Sequence, residues 1–288
     1  MRPKTIEGYL YLIRNHILPV LGKVKVSQLR ADQVQSLYSL KLEQGLSRRT
    51  VQFIHSVLHK TLNQALRWGL VVRNVSDLVD PPTPKRSPVF VWNADQVIQF
   101  LNSVKNDRFY TVYVLAVYGS FREGEVLGIH VEDCQGSVVN VSHAVQYLIG
   151  KGVVVTEPKT ETSNRSVKLP PFASQVLKDY LTQLNKNQGL LFTTSSGKPI
   201  NPRFLIKKFQ EALEVSGLPR ITFHQLRHTG ASLLLSANVH PKVVQERLGH
   251  SSIVLTLNTY SHVMPHLQDE AADKLGDLLS RPTVDQTH

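Results

Sequence analysis

Residues 224–263 read HQLRHTGASLLLSANVHPKVVQERLGHSSIVLTLNTYSHV. His224 and His228 are four apart, so on a helix they share one face and could be two metal ligands. No HExxH pattern, acidic third ligand or cysteine cluster accompanies them, and a zinc site is not expected. Tyr260 is one of nine tyrosines, and by itself reads as a half-buried aromatic with its hydroxyl at the surface. What sets the stretch apart is its order: His-x-x-Arg at 224–227, then Gly-His at 249–250, with His250 following Arg227 by 23 residues and Tyr260 following His250 by ten.

Two earlier stretches belong beside it, GSFREGE at 119–125 and EPKTETSNR at 157–165. Alone, Arg122 is a helix-surface cation that pairs with Glu125 three residues on, and Lys159 is a solvated turn residue beside Pro158. The sequence between them has the short, β-branched runs of a small antiparallel sheet: GSVVNV at 136–141, GVVVTE at 152–157 and RSVKLP at 165–170. Around this sheet the reading is helical. Asn93 and Gln96 form a capping-box-like start, an apolar helix covers about Phe109 to Tyr118, and helices resume near Phe172 with Pro202, Pro241 and Pro265 at starts.

Further out, Asp80-PPTPKRSP-Val89 interrupts every period and favours an extended connector, which places the domain junction there. Three helices are expected before it. Ile6, Leu10, Ile13 and Ile17 form a stripe that stops at Pro19 and Gly22, and Val34, Leu37 and Leu40 to Leu42 form one ending at Gly45. Ser47 caps a third, with Val51, Ile54, Leu58, Leu62 and Leu66 inward and Gly69 past its end. The fold class expected is mainly α with a small antiparallel β-sheet, an α+β second domain, over domains 1–80 and 90–288 joined by linker 81–89.

The 288 residues carry a net charge of +11, which points to an anionic partner without naming it. Residues 1–85 hold 13 Lys/Arg against 5 Asp/Glu, and the remainder holds 20 against 17, so the smaller part carries most of the footprint. A single cysteine, Cys134, excludes an internal disulfide framework and suits a reducing cytoplasm. No apolar run spans a bilayer, and the start MRPKTIEG lacks the apolar core of a signal peptide.

Taken together, Arg122, Lys159, His224-x-x-Arg227, Gly249-His250 and Tyr260 resemble the active-site signature of the tyrosine recombinases, over nearly the whole chain. GSFREGEVLGI is similar to the first arginine box, Lys159 to the β-hairpin lysine, HQLRHTGAS to the His-x-x-Arg box and LGHSSIVLTLNTYSHV to the closing segment. Residues 1–80 resemble the helical core-site-binding domain of phage and transposon integrases. The resemblance implies two domains that form a C-shaped clamp on DNA and a catalytic set of Arg122, Lys159, His224, Arg227, His250 and Tyr260. It also implies a 3′-phosphotyrosine intermediate, exchange through a four-way junction, and a homo-tetramer on paired sites, with accessory DNA-bending or excision factors.

The chemistry requires these residue types. Arginines offer planar forks for non-bridging phosphate oxygens, and a phenol of pKa about 10 needs a proton acceptor, for which His224 is the candidate. A lysine can protonate the leaving 5′ oxygen, and His250 can donate to the phosphate. No metal is expected, because two arginines, two histidines and a lysine make a divalent ion unnecessary and electrostatically unwelcome, and no ATP or other cofactor, because the phosphotyrosyl ester conserves the cleaved bond. Arg48, Arg49 and Lys60 on the third helix are the expected DNA contacts of the first domain.

Two features depart from the usual pattern. Thr-Gly-Leu-Arg-Arg-Gly-Glu is common in the family, whereas this chain has Gly119-Ser120-Phe121-Arg122-Glu123-Gly124-Glu125, and Gln225 replaces an acid after the histidine. Many such integrases also carry a small arm-site domain ahead of the core-binding helices. Residues 261–288 hold 5 Asp/Glu and 2 Lys/Arg with Leu267, Leu275, Leu278 and Leu279 as an apolar face, which suits packing on a neighbouring subunit. The function expected is integration or excision of a phage or mobile element. A host resolvase of the Xer type, a non-catalytic DNA-binding protein of the same fold and a type IB topoisomerase are the competing readings.

Overall fold

Helices fill the first part of the computed structural model, which describes residues 3–84, 90–157, 164–260, 272–273, 275–277 and 279. The chain divides into two compact units, Met1–Pro88 and Val89–His288. In the first unit, α1 is Pro3–Leu12, α2 Leu18–Leu21, α3 Ala31–Glu43 and α4 Arg48–Arg67. The helical path does not stop at Pro19. A π-helical turn, Ile13–Ile17, joins α1 to α2 and leaves Pro19 at the second position of α2, where its missing N–H matters least.

Ser47 caps α4 as its sequence predicts, its hydroxyl accepting the Thr50 N–H at 3.1 Å. Val34, Leu37 and Tyr38 of α3 are buried in one cluster with Val51, Ile54, Leu58 and Leu62 of α4, each aliphatic contributing about 1.5–3 kcal/mol. The stripe differs from expectation at its ends. Leu66 is exposed while Ala65 is buried, and Lys41 rather than its leucine neighbours points inward, its amine reaching Gln44 Oε1 at 2.9 Å. Ile6 and Leu10 are also exposed.

The second unit begins with α5 (Ala94–Ser103), capped by the reciprocal Asn93–Gln96 pair, followed by α6 (Tyr110–Tyr118) and α7 (Glu123–Gly128). Residues Thr111 to Val117 of α6 are all buried, so this helix is apolar all round and forms the centre of the unit. Five strands follow: β1 (Cys134–Gln135), β2 (Val138–Val141), β3 (Ala144–Leu148), β4 (Gly152–Thr156) and β5 (Arg165–Lys168). They make two antiparallel sheets rather than one, β1-β2-β5 and β3-β4. The added strand β3 pairs with β4 from Ala144–Thr156 to Leu148–Gly152. The strands on either side of residues 158–163 therefore belong to different sheets, and Lys159 lies outside the described residues.

The remaining helices are α8 (Pro171–Leu184), α9 (Pro202–Ser216), α10 (Phe223–Ser236), α11 (Pro241–Leu248) and α12 (Ile253–Tyr260). Pro171, Pro202 and Pro241 each stand in the first turn of their helix; Pro265 lies outside the described residues. Phe100, Tyr113, Phe209 and Phe223 meet with ring centroids 5.4–6.5 Å apart, holding α5, α6, α9 and α10 to one core. Helix α10 lies close against α6, because Gly230 has no Cβ to strike the Val117 carbonyl and the Ser120 hydroxyl. No described helix is long and apolar enough to cross a membrane.

Candidate active site

The site grows from the N-terminus of α7. Glu125 stands at its third position and accepts the Arg122 backbone N–H at 3.0 Å, closing the first turn. The same carboxylate takes the Arg122 guanidinium at 2.5 Å, so the expected i,i+3 pair forms. Glu125 is also nearly buried and serves two further cations. Arg165 of β5 reaches it through Nη2 at 2.8 Å and Nη1 at 3.2 Å, and Arg227 of α10 comes within 3.6 Å. Burial pushes the Glu125 pKa up, but the hydrogen bond and charge of Arg165, then the charges of Arg122 and Arg227, take it down to about 2. Three guanidinium groups around one carboxylate leave positive charge in excess, a setting suited to a phosphate.

Arg227 is 1% exposed. Its Nη1 donates to Ser120 O at 2.9 Å and its Nη2 to Leu248 O at 2.5 Å. Burial and then the neighbouring Arg122 lower its pKa to about 9, which leaves it charged at neutral pH. Ser120 presents its carbonyl from a left-handed backbone conformation, φ +53°, two residues ahead of Arg122. The end of α11 is held by two arginines: Arg227 on the Leu248 carbonyl and Arg165 Nε on the Arg247 carbonyl at 2.7 Å. Arg247 itself donates to Lys168 O at 2.9 Å and to Tyr118 O.

His250 follows directly, after Gly249 turns the chain with φ +61°. Its Nδ1 lies 3.0 Å from Thr256 Oγ1 of α12. Burial, then the charges of Arg227 and Arg122, push its pKa down to about 4. His224 opens α10 and faces solvent, though crowding by protein atoms lowers its pKa, with Glu123 opposing and Arg227 and Arg122 adding to the shift. Its ring stands edge-on to that of His228, centroids 4.8 Å apart.

Tyr260 closes α12 and is 1% exposed, packed with Ala231, Leu235, Val244 and Leu248. Its hydroxyl lies 2.6 Å from His228 Nδ1. Burial raises the phenol pKa to about 12, with Arg227 acting in the opposite direction.

Five of the six expected catalytic side chains, Arg122, His224, Arg227, His250 and Tyr260, thus share one neighbourhood drawn from α7, α10, α12 and the end of α11. Arg48, Arg49 and Lys60 belong to the first unit, where all three are exposed on α4; Arg49 lies over the Phe53 ring at 5.7 Å and Lys60 over Tyr9 at 5.5 Å. Sequence reasoning passed over Arg165, Ser120 and the contact between His228 and Tyr260. One signal was available: alternation along β5 puts Arg165 on the same face as buried Val167, an unusual place for a cation without a partner.

The model of the phage integrase family matches residues 91–266, and that of the phage integrase N-terminal SAM-like domain matches residues 1–41. A "Tyrosine recombinase XerC-like" protein of Caldanaerobacter subterraneus subsp. tengcongensis is 28% identical over 311 residues, covering 96% of this chain and 78% of its own. The structure of the Tn1549 transposon integrase with a circular intermediate DNA matches with a TM-score of 0.81 at 22% identity, covering 96% of this chain and 94% of that one. A lambda integrase tetramer bound to a Holliday junction matches with a TM-score of 0.69 at 16% identity, covering 90% and 72%. At these identities the two structures speak for the fold.

Proposed function

Because the chain belongs to the phage integrase family, and so to the tyrosine-type site-specific recombinases, we propose that it cuts and rejoins DNA through Tyr260 to integrate or excise a phage or other mobile element. The observation that carries this reading is the convergence of Arg122, Arg227, His224, His250 and Tyr260 beside an over-compensated carboxylate. Arg122, 37% exposed on its side chain, and Arg227 beneath it supply the positive charge that a phosphodiester needs as negative charge builds on its oxygens.

In the proposed reaction the Tyr260 oxygen bonds to phosphorus and the bond to the 5′ oxygen breaks. That oxygen takes a proton from Lys159, and His250 donates a hydrogen bond to the phosphate. A free 5′-hydroxyl then attacks the phosphotyrosine, restoring the backbone and releasing Tyr260. The bond energy stays in the ester throughout, so the scheme needs no nucleotide hydrolysis, and the cationic side chains fill the charge-stabilising role that a metal ion would otherwise take.

Residues 1–80 are proposed as the core-site-binding domain, 81–89 as the linker and 90–288 as the catalytic domain. Arg49 and Lys60 are eleven positions apart on α4, which sets them roughly 20° apart around the helix axis, so one face could follow a backbone. DNA is the partner, in the cytoplasm, and assembly as a tetramer on paired sites is proposed on the likeness to the lambda complex. Residues 261–288 are assigned to contacts with a neighbouring subunit; of their leucines, Leu275 and Leu279 are described and exposed.

A nicked suicide substrate tests the reading. Wild-type protein should trap a covalent protein–DNA species, and Tyr260→Phe should bind equally well and trap none; a covalent band from Tyr260→Phe would remove Tyr260 as nucleophile.

A further inference from the structure

Of the two histidines on the exposed side of α10, the one that meets the nucleophile is His228. We propose that His228 Nδ1, rather than His224, is the proton acceptor for Tyr260 in the strand-cleavage step. The inference rests on the reading of Tyr260 as nucleophile and adds to it the group that activates it.

The geometry is direct. A phenol has one proton to give, and His228 Nδ1 at 2.6 Å is its hydrogen-bond partner among the described residues. The distance suits an O–H donating to a ring nitrogen that carries a lone pair, which leaves the imidazole proton on Nε2. His224 lies one turn earlier on the same face, in ring contact with His228, and has no such bond to Tyr260. The pair is shielded: Tyr260 is 1% exposed and His228 half-buried, so bulk water competes poorly for the phenolic proton.

Charge explains why the proton stays in place until DNA arrives. His228 is surrounded by His224 and Arg227 on its own helix, by Tyr260 of α12 and by His250 after α11. Burial, and then His224 and Arg227, hold its pKa near about 4, so an imidazolium beside Arg227 is disfavoured in the free protein. A phosphodiester lodged on Arg122 and Arg227 brings negative charge to the same place and offsets that repulsion. His228 thereby becomes a better base when substrate is bound, and Tyr260 is not ionised idly without it.

The step balances. The lone pair on Nδ1 takes the phenolic proton as the Tyr260 oxygen bonds to phosphorus and the 5′ oxygen departs with a proton from the general acid. On rejoining, the 5′-hydroxyl returns its proton to the general acid as its oxygen bonds to phosphorus, the tyrosyl ester breaks, and the imidazolium returns its proton to Tyr260.

The test is single-turnover formation of the covalent complex on a nicked suicide substrate across pH, with DNA binding and circular dichroism recorded for each variant. His228→Ala should lower the rate at neutral pH at least tenfold with binding unchanged, and the remaining rate should climb steadily with pH because the proton must now leave to solvent. His228→Gln can still hydrogen-bond the hydroxyl and fill the space but cannot take a proton, and should be as slow as the alanine variant. Wild-type rate in His228→Gln would reduce His228 to a positioning residue and overturn the proposal. Wild-type rate in His228→Ala together with loss of rate in His224→Ala would move the base to His224, also overturning it while leaving Tyr260 as nucleophile. Covalent product from Tyr260→Phe would instead defeat the underlying reading.

Discussion

Arg165 on β5 grips Glu125 on α7 through both carboxylate oxygens, at 2.8 and 3.2 Å, with both side chains less than 10% exposed. The pair ties the helix that starts at Arg122 to the sheet, while Arg165 Nε fixes the last turn of α11 ahead of His250. Removing one partner strands a buried charge, so Arg165→Met should lower unfolding free energy by about 3–5 kcal/mol. Replacing both, as Glu125→Leu with Arg165→Met, should be milder for stability yet still slow strand cleavage, because Arg122 loses its anchor. Urea denaturation and covalent-complex formation separate the two effects; equal loss of stability in the single and double variants would show that the pair acts by packing alone.

Acid stability follows from the same cluster. Glu125 titrates near about 2 in the folded protein, below the ordinary value of 4.5, so its contribution is complete above pH 4.5 and disappears as pH falls toward 2. His228 and His250 titrate near about 4 against an ordinary 6.5. The unfolded chain therefore takes up their protons first, and the histidine contribution declines as pH falls from 6.5 to 4 and levels off below, where the loss of the Glu125 contribution continues. Urea midpoints should start to fall near pH 6.5, with His250→Gln flattening the upper limb and Glu125→Gln the lower. A midpoint constant from pH 7 to 4.5 would contradict the burial of the histidines.

Much of this arrangement is legible in the sequence where local signals agree. Helix α4 has a capping serine, an apolar stripe and a terminal glycine that all mark the same limits, and α6 is an unbroken apolar run. Strand β3 was missed because AVQYL carries weak alternation and acquires its identity from pairing with β4. Pro19 reads as a stop, but the π turn before it shifts the hydrogen-bonding frame. Residue types and spacings around Arg122, Arg227, His250 and Tyr260 indicate the chemistry. Which of His224 and His228 meets the phenol depends on where α12 docks, a tertiary fact with no local trace.

Ser120 stands where the usual integrase pattern has glycine, and its φ of +53° explains the preference. Ser120→Gly should raise stability by roughly 0.5 kcal/mol: about 1–2 kcal/mol of left-handed strain is relieved, while the unfolded chain gains freedom worth about 0.4–1 kcal/mol. Its hydroxyl sits 3.4 Å from Val117 O, so little hydrogen bonding is lost. Ser120→Val should destabilise by at least about 1 kcal/mol. Thermal melting of the three proteins checks the order Gly, Ser, Val, and any other order would mean that side-chain packing governs the position.

Gly230 lets α10 lie against α6, and an added methyl would meet the Val117 carbonyl and Ser120 Oγ. Backbone yields less readily than a side chain, so Gly230→Ala should destabilise by about 1–3 kcal/mol through overpacking. The shift would move Arg227 and His228 together, since both lie within one turn of Gly230 on α10. Cleavage should therefore slow more than DNA binding weakens. A variant that melts lower but cleaves at the wild-type rate would show that the strain is absorbed by α6 instead.

DNA binding by the first unit is expected to depend on the N-terminus of α4. Arg48 and Arg49 are exposed there, without an acidic residue in that first turn to neutralise them. If Arg49 neutralises one phosphate, Arg49→Ala should reduce the slope of log affinity against log salt by about 0.9, equally for core-site and unrelated duplexes. Replacing Arg48 as well should double the change. A base-edge contact would give another signature: little change in slope, and a loss of about 1–3 kcal/mol confined to the core sequence. Titrations at several salt concentrations on both duplexes distinguish these outcomes, and identical slopes with unchanged discrimination would turn this end of α4 away from the DNA.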